Sequence, residues 1–419
     1  QILLECAGSN TDRIRRALGQ ALRANPQLMA KFGVDSTGRF TQTFPISAID
    51  MDEISIHEVA SAQEARKICW MKAAVPFNLE EGPAIAVDEI RINGYSTWFV
   101  LTMNEILIDG WGAMKFMEQL ISLFECRNMD DQEIEVKTAM TSALEYFQHL
   151  SKPEEISAEA REFWSKSLDG VKSCFPLRDT LNSSCDPYAA SVIEVSLDDE
   201  ATAEIRSTAH ALSTSPFAVF VAAYSLALAA VSDQHDFVVG APVAGRNDEY
   251  EIGVPTLMLN MIAIRTRIDV EKKISDTVRS MISNVTEAVS FGDSVFSKVV
   301  SEFADHTNED PLFSTMVNML TYPSLEFWDG DRSLHLTELN TGFTKYDASL
   351  YIQRHGEDYT LQLAYKVAYV TPERANKVLA LTAWFLTSDW LSGKTTVANA
   401  IKTALNDCDT SQITMLKSY

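Results

Sequence analysis

Positive charge is scarce in this chain: 35 lysines and arginines face 58 aspartates and glutamates, giving a formal net charge of -23. Such a surface cannot neutralise a phosphate backbone, so a nucleic-acid partner is not expected. The basic residues come only in short groups such as Arg13-Ile14-Arg15-Arg16, which reads as one solvated helix face. Cysteine is also sparse. Cys6, Cys69, Cys126, Cys174, Cys185 and Cys408 form no C-x-x-C pair. That argues against a thiolate metal site or a secreted disulfide framework, and it suits a reducing, cytoplasmic compartment. His57, His149, His210, His235, His306, His335 and His355 are scattered without ligand spacing, so no metal is expected. G-x-S-x-G, the P-loop and G-x-G-x-x-G are all missing, which sets aside the serine nucleophile elbow and the common phosphate cradles.

Long apolar runs are missing too. Pro216 to Val231 (PFAVFVAAYSLALAAV) falls slightly short of the roughly 20 residues that span a bilayer. The Ser213-Thr214-Ser215-Pro216 entry reads instead as the cap and first turn of a buried helix. No membrane association is expected. No signal peptide opens the chain: Gln1 leads straight into strand-like Ile2-Leu3-Leu4-Glu5-Cys6, and a start without Met suits a piece of something longer.

At 419 residues with 46% hydrophobic content, the chain exceeds one comfortable core and predicts two lobes. Strands and helices interleave in both halves, so the expected class is α/β. In the first half, Ala84–Ile92 and Thr97–Met103 read as strands joined by an Asn93-Gly94 hairpin turn. The second strand runs into Asn104-Glu105-Ile106-Leu107-Ile108-Asp109-Gly110, followed by an amphipathic helix from Trp111 to Glu125. A strand-loop-helix junction holds side chains rigidly and is a common mount for chemistry. Met129 to Glu135 reads as an acidic loop before a helix from Thr138 to Leu150. Ser, Asp and Pro are concentrated in 173–187, which reads as a linker between an N-terminal lobe of 1–172 and a C-terminal lobe of 188–419.

Six phrases, in order along almost the whole chain, carry a resemblance. Pro76-Phe77-Asn78-Leu79-Glu80-Glu81-Gly82-Pro83 is similar to "PFDLxxGP", and Asn104 through Gly110 occupies the place of "HHxxxDG", with Trp111 following. Val239-Gly240-Ala241-Pro242-Val243-Ala244-Gly245-Arg246 is similar to "GxPVxGR", and Asn260 through Arg265 to "NxxxxR". Lys345-Tyr346-Asp347-Ala348 is similar to "KFDL", and Arg161-Glu162-Phe163-Trp164 suits the helix before the lobe linker. Together they resemble the condensation domains of nonribosomal peptide synthetases.

That resemblance implies two chloramphenicol-acetyltransferase-like lobes, a pseudo-dimer in a V with a central tunnel. It implies acyl transfer: an amine acceptor attacks a thioester donor, both carried on phosphopantetheine arms of peptidyl or aminoacyl carrier proteins beside adjacent synthetase domains. No directly bound cofactor is implied. The places of the two family histidines fall on Asn104 and Glu105, the structural aspartate on Asp109, with Gly110 after it, and Arg246 is the expected ion-pair partner of Asp109. Trp111, Asn260 and Asp347 are tunnel-lining candidates. A free glutamate is a poor base near neutrality, and burial would be needed to make Glu105 competent. Two other readings stay open. The domain is inert chemically and serves as a docking or recruitment module, or it is a heterocyclisation relative, whose "DxxxxD" is half matched by Asn104 and Asp109. His335 and His355, in the half whose strands reach the tunnel in relatives, are weak substitutes for the lost histidines.

Overall fold

A computed structural model describes residues 1–7, 11–44, 49–94, 96–126, 128–149, 155–179, 181–246, 249–304, 311–320, 326–329, 332–338, 342–388 and 394–416. Two large mixed sheets carry the fold. In the first, the strands lie in the order Glu326–Asp329, Arg332–Glu338, Ile2–Ala7, Ser96–Met103, Ile85–Ile92, Ser55–Val59. In the second, the order is Thr414–Leu416, Ala190–Ser196, Asp358–Lys366, Ala348–His355, Thr315–Leu320, Asp236–Val243, Asn260–Arg267. A small hairpin, Lys31–Val34 with Phe40–Thr43, stands apart.

The hairpin expected at Asn93-Gly94 is present. Both residues take positive φ (48° and 71°), the left-handed values that Asn and Gly tolerate best. The turn pairs Ile85–Ile92 with Ser96–Met103 in antiparallel register, Ile85 opposite Met103. Helices Thr11–Ala24 and Gly110–Glu125 cover one face of this sheet, burying Leu18, Leu22, Phe116, Leu120 and Phe124 against Leu4, Phe99 and Leu101. Ala62–Ala73 contributes Ala65 and Cys69 to a smaller cluster on the other face, with Leu3, Trp98 and Val100.

The core of the second lobe is larger, and the apolar run forms its axis. Pro216–Ser232 is a helix with Ser215 Oγ accepting from Ala218 N (3.4 Å), and residues 218–229 are buried throughout. Its buried polar groups are satisfied: Tyr224 hydrogen-bonds Thr315 Oγ1 at 2.6 Å, and Ser225 Oγ accepts from Thr266 Oγ1 at 3.2 Å. The helix ends on Asp233 in the left-handed region (φ 55°). Among the described residues no single helix is long and apolar enough to cross a membrane.

One local expectation is corrected. Met129 to Glu135 is helical, the first turns of one helix, Met129–His149. Its opening acids Asp130 and Asp131 sit where the helix dipole favours negative charge, so acidity there marked a helix start and not a loop. Two segments pack at a distance from their neighbours in sequence. Helix Ala158–Leu168 buries Ala160, Trp164 and Leu168 in the core of the second lobe. Strands Glu326–Asp329 and Arg332–Glu338 extend the first sheet, with Ile2 opposite Glu338.

Candidate functional site

The strand Ser96–Met103 ends where Asn104 begins a tight turn. Asn104 N donates to Ala84 O (2.9 Å), Asn104 Oδ1 accepts from Ile106 N (3.0 Å), and Asn104 O accepts from Leu107 N (3.0 Å). The Asn side chain is thereby engaged in shaping its own loop, a local bond that asparagine makes readily. Glu105 is the tip of this turn. It is exposed, with no hydrogen bond or ion pair to any described residue. Leu107 and Ile108 return into the core.

Asp109 then caps the helix Gly110–Glu125. One carboxylate oxygen accepts from Gly112 N (2.7 Å) and from Arg246 Nη2 (2.8 Å); the other accepts from Met258 N (2.8 Å) and Leu259 N (3.0 Å). A helix cap, an ion pair and two backbone bonds from the other lobe meet on one buried carboxylate. The side chains of Arg246 and Asp109 are only 3% and 4% exposed. Arg246 also donates to Thr256 O (2.9 Å), Glu251 O (3.2 Å) and Met258 Sδ (2.6 Å). Buried charges persist when they are paired and further hydrogen-bonded, as these two are.

Two glycines let the chains approach this closely. Gly245 has φ +60°, and a Cβ there would lie 2.1 Å from Met258 O; a Cβ on Gly112 would lie 2.6 Å from Thr256 O. Around the pair, the segment 251–259 lies along the first lobe like a latch. Trp111 Nε1 donates to Ile252 O (3.0 Å), Gln119 Nε2 to Gly253 O (3.4 Å), Gln27 Nε2 to Pro255 O (3.0 Å), and Leu257 N to Leu107 O (3.1 Å). Val254 and Met258 pack on Ala143, Tyr146 and Phe147 of the helix Met129–His149. Burial pushes the Tyr146 phenol above its ordinary range, with the Glu251 charge as a lesser cause.

The other candidates hold neighbouring loops. Asn260 Nδ2 donates to Gly292 O and Ser294 O (both 2.7 Å), and its Oδ1 accepts from Phe296 N (3.2 Å). Asp347 is a buried carboxylate held by Arg178, through Nε (2.6 Å) and Nη2 (3.2 Å). The Arg178 guanidinium lies 3.9 Å from the Phe175 ring centroid and 4.5 Å from that of Tyr369. Lys366, beside them, is held below the ordinary lysine range by burial, against the opposing pull of Asp347. Arg265 grips Asp236 with Nε and Nη2 (both 2.7 Å) and bonds Ser167 O and Asp169 O at the end of helix Ala158–Leu168. Arg178 and the partners of Arg265 escaped the sequence reading. A lone Arg in a Ser/Pro-rich stretch carries no periodicity, and only the resemblance had drawn attention to Asp347 and Arg265. His306 lies outside the described residues, as do the side chains of His335 and His355.

Tyr346, half-buried, packs on the Phe313 ring (centroids 5.4 Å, 34°), and burial pushes its phenol above the ordinary range, with the Glu105 charge as a lesser cause.

Comparison with known proteins fits this geometry. The family model described as "Condensation domain" matches residues 2–379. One component of the plipastatin synthase of Bacillus subtilis (strain 168) is 21% identical over 375 residues, 88% of this chain and 14% of the relative. One component of the linear gramicidin synthase of Brevibacillus parabrevis is 24% identical over 298 residues, 68% of this chain and 6% of the relative. The chain therefore spans only a small part of the length of these curated relatives. Among solved structures, the condensation domain from the monacolin K polyketide synthase MokA superposes with TM-score 0.70 at 16% identity, covering 95% of this chain and 93% of that one. The four-domain nonribosomal peptide synthetase AB3403 gives 0.78 at 13% identity, covering 95% and 32%. The X-domain from teicoplanin biosynthesis gives 0.72 at 12%, covering 95% and 91%. At these identities the structures speak for the fold, mixed α/β of the chloramphenicol-acetyltransferase type. With the family model matching most of its length, the chain belongs to the condensation-domain family.

Proposed function

We propose that this domain forms an amide bond between a thioester donor and an amine acceptor, each delivered on the phosphopantetheine arm of a carrier protein. The observation that carries this reading is the buried Asp109–Arg246 pair, which fixes the loop bearing Glu105 from both lobes at once. Maintaining a glutamate on so tightly held a turn suits a group that acts. In this reading Glu105 accepts a proton from the acceptor ammonium, and the neutral amine attacks the thioester carbonyl. The C–S bond breaks, and the thiolate leaves as a thiol. Alignment of two tethered reactants supplies much of the acceleration, which lowers the demand on the base. Arrival of the two arms would exclude water from a carboxylate that is exposed in the free chain. No cofactor beyond those arms takes part.

Glu105→Gln in the parent synthetase tests the reading. Loss of a general base costs on the order of 10²–10⁴ in rate, so product formation should collapse while the melting of the domain stays put. Undiminished product would refute it.

A recruiting role is favoured by one observation: the Asn104 side chain is engaged with Ile106 N and offers the reactants nothing. Under that role, the domain binds a carrier or tailoring protein with equal affinity whether position 105 is Glu or Gln.

A further inference from the structure

We propose that the cleft between helix Thr11–Ala24 and residues 49–52 is a binding site for a free α-amino acid with an apolar side chain. None of its lining residues belongs to the Glu105 loop or to the latch at 251–259, so its occupancy is independent of the chemistry at Glu105.

Helix Thr11–Ala24 has two faces. Ile14, Ala17, Leu18, Ala21 and Leu22 are buried in the core of the first lobe. Arg16, Gln20 and Arg23 recur at i, i+4 and i+7, so they form one stripe beside that core. With Arg15, residues 49–52 and the start of helix Met129–His149, this stripe lines a cleft of about 350 Å³. Gly19 lets the opposite wall come close: a Cβ there would stand 3.0 Å from Met51 Cγ.

Three guanidinium groups meet in this cleft, in a chain whose net charge is -23. They are not equivalent. Arg15 pairs through Nη2 with the buried Glu89, and Arg23 pairs with Glu133 at 2.5 Å. Arg16 is exposed and makes no ion pair or side-chain hydrogen bond to any described residue. On the same cleft, Asp50 Oδ1 accepts from Asp52 N (2.9 Å), and neither carboxylate is paired with a cation among the described residues. A free cation and two free anions thus share one cleft without meeting each other. Gln20 adds an unmade bond: its Oε1 is buried without a hydrogen-bond partner among the described residues. The last torsion of a glutamine side chain is soft, so that acceptor turns readily toward a donor in the cleft.

This lining selects a molecule of both signs. A polyphosphate would be repelled by Asp50 and Asp52, and a simple cation by the three arginines. An amino acid satisfies both halves: its carboxylate takes the Arg16 fork, and its ammonium donates to Asp50 and to Gln20 Oε1. Ile49 and Met51, packed on the core, and Met129 supply the apolar wall for its side chain. The volume lies in the range of small-molecule sites, about 300–1,000 Å³.

The test is calorimetric titration of the full chain with L-leucine, L-methionine and L-phenylalanine. Leucinamide, which lacks the carboxylate, 4-methylpentanoate, which lacks the ammonium, and inorganic phosphate are titrated beside them. At least one amino acid should bind saturably, and its truncated forms should bind about 10-fold more weakly or worse, each having lost a bond to a charged group. Arg16→Met and Asp50→Asn, both at exposed positions, should each weaken binding by a similar factor and leave the melting of the free chain unchanged. Glu105→Gln should bind as the parent does. With methionine methyl groups labelled with ¹³C, the ligand should shift the Met51 and Met129 signals. No saturable heat from any of the three amino acids overturns the assignment, as does phosphate binding more tightly than they do. Binding that Glu105→Gln weakens, or that leaves the Met51 and Met129 signals in place, moves the amino acid to another site and overturns it equally.

Discussion

Replacing Arg246 by alanine strips the buried Asp109 of its cation and the latch of its anchor. Three donors remain on the carboxylate, from Gly112, Met258 and Leu259, so the charge is not stranded. The carbonyls of Thr256 and Glu251 lose their Arg246 donor as well. Breaking one half of a buried pair costs about 3–5 kcal/mol. At about 2–4 °C per kcal/mol for a unit of 150–250 residues, the melting temperature should fall by roughly 6–20 °C. The loss should be local first: limited proteolysis should cut within 246–259 before any other segment, and hydrogen exchange should speed up at Met258 and Leu259, whose amides bond Asp109. A compensating pair, Asp109→Asn with Arg246→Met, should recover part of the loss, since it removes both charges together. An unchanged melting temperature, or first cleavage elsewhere, would refute the argument that this ion pair holds the lobes in register.

Three further outcomes follow from the same packing. Gly245→Ala puts a side chain at φ +60° and a Cβ 2.1 Å from Met258 O, so it should cost more than the roughly 1–2 kcal/mol of the left-handed conformation alone; an unshifted urea midpoint would contradict this. Asn260→Ala removes the bonds to Gly292 O, Ser294 O and Phe296 N, and amide exchange in 292–296 should accelerate by about 10-fold or more while the core strands keep their protection. Tyr224 is fully buried, and desolvation raises its phenol far above the ordinary range near pH 10. The folded state therefore keeps a proton that the unfolded state releases. The stability it contributes is intact below about pH 10 and declines as pH rises beyond it. Urea unfolding at pH 8.5 and 11 should show less of this decline in Tyr224→Phe than in the parent, and an identical decline would count against the assignment.

Much of the site was legible because its parts are local or carry a motif. Two strands joined at Asn93-Gly94, a loop at 104–110 and an amphipathic helix after it are all patterns among near neighbours in the chain. The Asp109–Arg246 contact followed from the resemblance, though the partners stand 137 positions apart. What stayed hidden was non-local. Nothing about Arg178 in the sequence shows that it turns inward to Asp347, and the Asn260 side chain is aimed at a loop that only the fold brings near. The helix start at Met129 was misread because acidic residues favour both loops and first turns, and only packing decides between them.

The strands Glu326–Asp329 and Arg332–Glu338 have a consequence for biogenesis. Strand Ile2–Ala7 is hydrogen-bonded to Ser96–Met103 on one side and Arg332–Glu338 on the other. On the ribosome its second neighbour arrives about 330 residues after it, at about 5–20 residues per second. Until then the first sheet has an open edge at residues 2–7, rich in Ile and Leu, the kind of edge that recruits other chains. Cutting the gene between the two halves would make that transient condition permanent. The first half expressed alone should aggregate, and supplying residues 326–338 in trans should rescue it.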